Sequence, residues 1–250
     1  MKNLLFKIKY DGSSFHGWQL QPNGITVQQC LSEAFESIFG QKVNINGCSR
    51  TDAGVHANEF CFNVKIDTPM PEERIITAIN SKLPPSAAVY ACREVKEDFH
   101  ARFDCKGKEY IYRVLNTPYP DPFLRDRAYH YKYPLDEKML DREAKAFIGT
   151  HDFGAFCASG SSVQTTVRTV YDFSVRRESD EVIFSVSGDG FLYNMVRIAV
   201  GTLIDISRGK IEQGSIPQII ESRDRNMAGV TAPPCGLYLN KVFYEEKIYD

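Results

Sequence analysis

The sequence predicts an α+β protein with two subdomains, each built from an antiparallel sheet that helices cover on one face. Segments that alternate with a period of two residues, typical of strands, are interspersed with segments of 3.6-residue period, typical of helices. Both halves of the chain show this mixture, with about two helices each, and a chain of 250 residues suffices for two such units. We place the subdomains at residues 1–105 and 106–250.

In the first subdomain the alternation predicts four strands and two helices: strands Leu4–Tyr10, Val43–Cys48, Phe60–Ile66 and Ala88–Val95, and helices Val27–Phe39 and Pro71–Leu83. Thr26 and Gln29 have the spacing of a capping box at the start of the first helix, and Gly40 can end it. Pro71 is tolerated in the first turn of the second helix.

In the second subdomain the same patterns predict five strands and three helices: strands Lys108–Leu115, Arg127–Tyr133, Thr169–Arg176, Val182–Val186 and Leu237–Tyr244, and helices Asp136–Ile148, Asn194–Ser207 and Ile216–Ser222. The third and fourth of these strands should form a hairpin across Glu178–Glu181. Residues 158–164 should form a polar loop.

Composition favours a cytoplasmic protein without a membrane anchor. Hydrophobic residues make up 43% of the chain and charged residues 25%, yet no apolar run approaches the ~20 residues that span a bilayer. The seven cysteines are odd in number and none forms a C-x-x-C pair, so they indicate reduced thiols rather than disulfides, a redox centre or a zinc site.

Charge is distributed unevenly. A net charge of −2 by itself disfavours a nucleic-acid partner. Between Phe99 and Tyr133, however, seven Lys and Arg outnumber four Asp and Glu, and nine aromatic residues lie among them. Such a strip suits stacking on unpaired bases beside phosphates. It also fits core strands with charged outer faces, which composition alone favours.

Asp52 lies in the segment Ser49–Ala57, between two predicted strands, where active sites are commonly found. In isolation the segment is a turn in which Gly54 supplies an unusual backbone angle. Other segments change this interpretation. They are Tyr10–Gln19 (YDGSSFHGWQ), Phe99–Phe103 (FHARF) followed by Lys108–Tyr112 (KEYIY), Gly190–Arg197 (GFLYNMVR) and Ala232–Leu239 (APPCGLYL).

Together with the RTDAGVHA core these segments resemble the TruA family of tRNA pseudouridine synthases, in the family's order and from Tyr10 to Leu239. The resemblance implies the pseudouridine synthase fold, with the active site in a cleft between two subdomains. It implies conversion of uridine to pseudouridine at tRNA positions 38, 39 and 40, in the anticodon arm. It also implies a homodimer that needs no cofactor, metal or nucleotide.

The resemblance assigns the chemistry to Asp52, a carboxylate nucleophile that attacks C1′ of the ribose or C6 of the uracil. Arg197 should be its buried ionic partner, since a carboxylate removed from water needs a paired charge. Tyr110 should stack on the target base, and Arg50 should help to extrude it. Leu237 should form an apolar floor beneath the base.

RNA contacts are expected from one further segment, which comprises Phe99, His100, Ala101, Arg102 and Phe103. His56 should brace the loop of Asp52 rather than act in catalysis.

Three alternatives remain. The chain could be a non-catalytic RNA-binding protein of the same fold, or a paralogue that modifies a different RNA. A metal-dependent hydrolase using Asp52 and His56 would need further ligands, and none stands at a suitable spacing.

Overall fold

A computed structural model describes residues 1–160 and 163–245. The chain forms two compact units: unit 1 combines Met1–Lys106 with the segment from Tyr238 onward, and unit 2 is Gly107–Leu237. The sequence-based division ran the second subdomain on to residue 250, whereas in the structure the chain returns to unit 1 at Tyr238. Residues 161 and 162 of the predicted polar loop lie outside the described residues, as do residues 246–250.

The strands are β1 (Lys2–Tyr10), β2 (Ile45–Gly47), β3 (His56–Ile66), β4 (Ala87–Val95), β5 (Cys105–Leu115), β6 (Tyr129–His130), β7 (Gly149–Asp152), β8 (Val167–Glu178), β9 (Glu181–Gly188) and β10 (Leu237–Tyr244). The α-helices are α1 (Val27–Phe39), α2 (Glu72–Asn80), α3 (Glu137–Ala144), α4 (Met195–Ser207) and α5 (Ile216–Ser222). The predicted α+β class is confirmed. None of the helices in the described part of the chain is long and apolar enough to cross a membrane.

The sheet of unit 1 has the strand order β4-β1-β3-β10. β1 runs antiparallel to both β3 and β4. β10 pairs with β3 in parallel, with Tyr238 opposite His56 and Leu239 opposite Ala57. β2 pairs antiparallel with the other end of β3. The closing strand therefore makes this sheet mixed rather than wholly antiparallel.

The core of unit 1 lies between the sheet and α1. The Phe35 ring of α1 meets the Phe6 ring of β1 edge-on at 5.7 Å, and Phe6 stacks on Phe62 of β3 at 5.0 Å. The predicted bounds of α1 are confirmed because its ends are chemically marked. The Thr26 side chain accepts a hydrogen bond from the Gln29 N–H at the first turn, and Gly40 adopts φ 68° at the end.

Unit 2 contains the strand order β5-β9-β8-β7, all antiparallel neighbours, and β6 joins β5 in parallel. The predicted hairpin is confirmed, since β8 and β9 pair from Val170 to Glu178 around a two-residue turn. α3 packs on β8. α4 is buried on almost all sides, with eleven of its thirteen residues buried, as expected of a central helix.

Two expectations for unit 2 differ from the structure. The strand predicted at 127–133 shrinks to Tyr129–His130 because the Asn116 side chain, instead of a strand neighbour, donates to the carbonyls of Tyr131 and Tyr133, each at 2.8 Å. The helix predicted to run to Ile148 ends at Ala144 and continues as a single 3-10 turn. Ile148, expected to face inward, is 36% exposed.

Candidate active site

Asp52 lies in the loop that joins β2 to β3 in unit 1, where its side chain is partly exposed. The loop closes as a turn in which the Val55 N–H donates to the Asp52 carbonyl at 3.1 Å. Gly54 adopts φ 80° within this turn, a left-handed conformation that favours glycine. Arg50, on the same loop, is exposed.

The backbone of the Tyr10–Gln19 segment lies directly against this loop. A Cβ atom on Gly17 would overlap the Thr51 carbonyl oxygen, and one on Gly12 would overlap that of Val55. The Trp18 N–H donates to the Thr51 carbonyl at 3.1 Å. Two glycines therefore allow main chain to pack on main chain, which fixes the path of the loop on either side of Asp52.

Polar side chains add a second set of supports to the loop. The Tyr10 hydroxyl and the Thr51 hydroxyl are hydrogen-bonded at 2.9 Å in a buried position. His56, which is 2% exposed, accepts the Gly12 N–H at Nδ1 (3.0 Å), and its ring stacks on Tyr238 at 4.5 Å. Asp11 Oδ1 also lies 3.2 Å from Nδ1, so His56 contacts both the Tyr10–Gln19 segment and β10, and its bracing role stays a prediction.

Arg197 lies in the first turn of α4 in unit 2. It is partly rather than fully buried, in contrast to Val200 and Ile204 on the same helix. Its Nε–H donates to the Ala232 carbonyl at 2.7 Å, and an Nη1–H donates to Asn194 Oδ1 at 2.8 Å.

The segment that carries Ala232 is held tightly on α4. The Ala232 N–H donates to the Arg197 carbonyl at 3.1 Å, and the Gly229 N–H donates to the Thr202 hydroxyl at 2.8 Å. A Cβ on Gly201 would overlap the Val230 carbonyl oxygen. The acceptor for the Arg197 Nε–H therefore belongs to a rigid part of unit 2.

Tyr110 lies on β5 and is 6% exposed. Its ring meets that of Phe191 edge-on, with centroids 5.2 Å apart and planes at 84°. Tyr112, two residues on and on the same face, donates its hydroxyl proton to the Pro233 carbonyl at 2.7 Å, and burial raises its pKa well above the usual value. Leu237 begins β10 and is also buried.

The segment expected to contact RNA has two kinds of residue. Ala101 is buried and donates its N–H to the Asn63 side chain at 2.9 Å, and the Phe99 ring packs against Tyr244 at 5.3 Å. Arg102 and Phe103, in contrast, are exposed, Phe103 to 75%.

His100 links these two parts of the segment. Its Nδ1 accepts the Arg102 N–H at 3.1 Å, and its ring lies 4.2 Å from that of Phe103. The segment is thus anchored at Phe99 and Ala101 and presents Arg102 and Phe103 to solvent.

The aromatic strip as a whole divides in the same way. Tyr110 and Tyr112 are buried on the strand. Tyr119 and Phe123, in the loop after β5, are 82% and 85% exposed. The strip therefore combines buried strand residues with exposed loop residues, and its stacking on RNA stays a prediction.

Sequence reasoning missed Asn194, although it had included this residue in the GFLYNMVR segment. The available signal was an asparagine at the start of a predicted helix, a residue whose side chain accepts hydrogen bonds and which adopts the left-handed backbone more readily than most. Within the described ranges no three side chains of His, Cys, Asp and Glu are grouped so as to hold a metal ion.

The fold and these side chains define a protein of the α+β class with a candidate active-site carboxylate on a supported loop. The sequence profile described as tRNA pseudouridine synthase matches residues 7–104 and 144–245, and this chain belongs to that family. A protein named tRNA pseudouridine synthase A from Acetivibrio thermocellus is 48% identical over 244 residues, which cover 98% of this chain and 100% of the relative.

Two further relatives agree. The protein of that name from Thermoanaerobacter sp. (strain X514) is 45% identical over the same shares of the two chains. A protein from Clostridium perfringens named tRNA pseudouridine synthase A 2 is also 45% identical, over 98% of this chain and 100% of its own length. The family resemblance deduced from the sequence is thus confirmed.

Proposed function

We propose that this protein isomerises uridine to pseudouridine in tRNA and that its targets are positions 38, 39 and 40 of the anticodon arm. The observation that carries the proposal is the similarity, at 48% identity over 98% of the chain, to a relative named for this activity. The positions within tRNA come from the resemblance of the RTDAGVHA core and its companion segments to the TruA family.

Asp52 is the nucleophile in this proposal. Its side chain is partly exposed on a loop whose main chain is fixed by close contact with Gly12 and Gly17. A fixed loop lowers the entropic cost of bringing a carboxylate to the reacting carbon. Arg197 is the ionic partner of Asp52 in this proposal, as the resemblance to the family implies.

Tyr110 stacks on the uracil in this proposal and assists removal of the proton from C5. Its edge-on contact with Phe191 fixes the plane of the ring, which a stacking partner requires. Leu237 forms an apolar surface under the base.

Arg50, Arg102 and Phe103 bind the RNA. All three are exposed, and two carry a positive charge that phosphates attract. The target uridine has to leave its stack before Asp52 can reach it, because a paired or stacked base shields the glycosidic bond. In this proposal Arg50, two residues before Asp52 in the sequence, occupies the space that the base leaves.

The reaction needs no net oxidation or hydrolysis. The bond between N1 and C1′ breaks, the uracil turns, and C5 forms a new bond to C1′. The hydrogen on C5 leaves as a proton, and N1 gains one. Atoms and charges balance with the protein's own acid and base groups.

The direct test uses tRNA labelled with tritium at C5 of uridine, incubated with the purified protein and excess EDTA. Tritium should appear in water, up to the number of modifiable uridines in each tRNA. Changing the anticodon-arm uridines to cytidines should suppress release, whereas changes in other arms should not. Absence of release would overturn the enzyme assignment. Release that persists after the anticodon-arm changes would keep the chemistry and point to a paralogue with another target.

We place the reaction in the cytoplasm and in a homodimer. Seven free thiols fit a reducing compartment. With a net charge of −2, one chain offers tRNA little overall attraction, and two copies of the exposed cations near Arg102 offer a larger basic surface. Sedimentation equilibrium, with and without tRNA, measures the number of chains per complex, and a monomer in both conditions would contradict the dimer.

A further inference from the structure

Asn194, the residue just before α4, has an unusual backbone conformation for its place. Its φ of 60° and ψ of 9° lie in the left-handed region, where residues other than glycine are uncommon. Residues at this position usually have extended backbones, and their side chains accept an N–H from the first turn of the helix. Asn194 makes no such capping hydrogen bond.

The Asn194 side chain serves Arg197 instead. Its Oδ1 accepts a hydrogen bond from Arg197 Nη1 at 2.8 Å, while the Ala232 carbonyl accepts from Nε at 2.7 Å. A guanidinium group is planar and rigid, so two acceptors at different edges define its orientation. Because the backbone of Asn194 is left-handed, its side-chain oxygen reaches the guanidinium of Arg197, three residues later in the chain.

We infer that Asn194 is a positioning residue that fixes the guanidinium of Arg197 for the isomerisation. The inference rests on the proposed function of Arg197. Asparagine adopts the left-handed conformation more readily than most residues, yet at some cost relative to an extended backbone, and here its side chain serves Arg197 and not its own helix. The hydrogen bond to Arg197 is the one side-chain contact through which Asn194 can offset that cost within the described residues.

Two substitutions separate the side chain from the backbone. Asn194→Ala and Asn194→Gly both remove the acceptor, but only alanine leaves a strained residue at positive φ. Both variants should lower kcat by roughly 10- to 100-fold, because small misplacements of a catalytic group have effects of this size. The KM for tRNA should change by less than about twofold, because Asn194 affects turnover and not the binding of tRNA.

The difference in thermal stability between the two variants should follow the backbone strain. Both variants lose the hydrogen bond to Arg197, but only alanine keeps a strained backbone, so Asn194→Ala should melt roughly 2–4 °C below Asn194→Gly. Asn194→Asp keeps an acceptor and tolerates positive φ, so it should retain more activity than either.

The matched control is Ser179→Gly, at the tip of the β8–β9 hairpin. Ser179 has φ 53°, close to that of Asn194, so glycine relieves the same backbone strain at a place that carries no proposed role. We expect this variant to raise the melting temperature slightly and to leave kcat unchanged.

Two measurements show whether Asn194 acts through Arg197. In an Arg197→Ala background, Asn194→Gly should cause no further loss of activity. In the protein without RNA, hydrogen exchange at Arg197 Nε, observed by NMR, should be faster in Asn194→Gly than in the wild type.

Three results would contradict the inference. One is full activity in Asn194→Gly with loss only in Asn194→Ala, which would reduce Asn194 to a residue that tolerates positive φ. The inference would also fail if the activity losses of the two substitutions added up in the double variant. It would fail as well if Nε–H exchange at Arg197 were the same in Asn194→Gly as in the wild type. If the wild type releases no tritium, the proposed function fails, and the exchange rates still decide whether Asn194 orients Arg197.

Discussion

The loop of Asp52 in unit 1 and the helix start of Arg197 in unit 2 are held by different kinds of contact. Around Asp52 the main chain packs on the main chain of another segment, and glycines at positions 12 and 17 make this approach possible. Around Arg197 the side chain itself is held, through hydrogen bonds to Asn194 and Ala232.

This difference shows which changes each group should tolerate. The position of Asp52 depends mainly on main-chain contacts, to which the Tyr10–Thr51 hydrogen bond and His56 add, and an added Cβ on the supporting segment disturbs it. The orientation of Arg197 depends on individual acceptors, and one of them belongs to a replaceable side chain. Loss of function by indirect effects should therefore come from glycines in unit 1 and from polar side chains in unit 2.

The largest effect is expected from Asp52 itself. Asp52→Asn should reduce tritium release by more than about 10³-fold, because it removes the nucleophile while keeping the side chain's shape. Since the loop is fixed through its main chain, the melting temperature should stay within a few degrees of the wild type and tRNA binding should persist. Residual turnover within tenfold of the wild type would remove Asp52 from this role.

Arg197→Ala should affect both activity and stability. It removes a charge near the proposed chemistry and breaks two hydrogen bonds from a charged donor, which together stabilise the fold by roughly 2–3 kcal/mol. The guanidinium is only partly buried, so we expect less than the roughly 3–5 kcal/mol typical of a broken buried ion pair. Urea denaturation measures the difference, and an unchanged midpoint would show that these hydrogen bonds do not stabilise unit 2.

Gly17→Ala tests the glycine support of the Asp52 loop. The new Cβ would overlap the Thr51 carbonyl oxygen, and Gly17 has φ 84°. We expect a loss of stability of roughly 3 kcal/mol and a fall in kcat. Gly40→Ala is the control, since Gly40 also has positive φ (68°) but an added Cβ would meet no atom within 4 Å, so about 1 kcal/mol is expected and kcat should not change. If Gly17→Ala and Gly40→Ala had equal effects on stability and kcat, the cause would be backbone strain and not a displaced loop.

The smallest effect concerns RNA binding by unit 1. Affinity for tRNA should fall steeply with salt, and Arg102→Glu should lower the slope of log K against log salt by about 1 or more, because a phosphate contact is lost. Lys82→Glu, the same charge change at another exposed position, should alter the slope less. Asp52→Asn should leave the slope of log K against log salt unchanged. A slope near zero for the wild type would remove the support for phosphate contacts at Arg102.

The elements that the sequence predicted correctly are those with strong local signals. Helix α1 has a capping threonine and a terminating glycine, and its bounds were predicted to the residue. The β8–β9 hairpin was recognised from two alternating segments at short separation. The strand β6 was predicted too long, because the side chain of Asn116 binds the carbonyls beyond it in place of a neighbouring strand. The strand β7 was not predicted, because so few residues show little periodicity.

The sequence by itself determined the α+β class, the family and the set of candidate residues, since all of these depend on residue type, order and spacing. The tertiary structure decided how the candidates are held. It placed Ala101 in the core and Phe103 in solvent within one short segment, and it joined the closing strand from Tyr238 onward to unit 1. It also directed Asn194 to Arg197 instead of to its own helix. Such contacts depend on backbone angles and on residues distant in sequence, which local patterns do not specify.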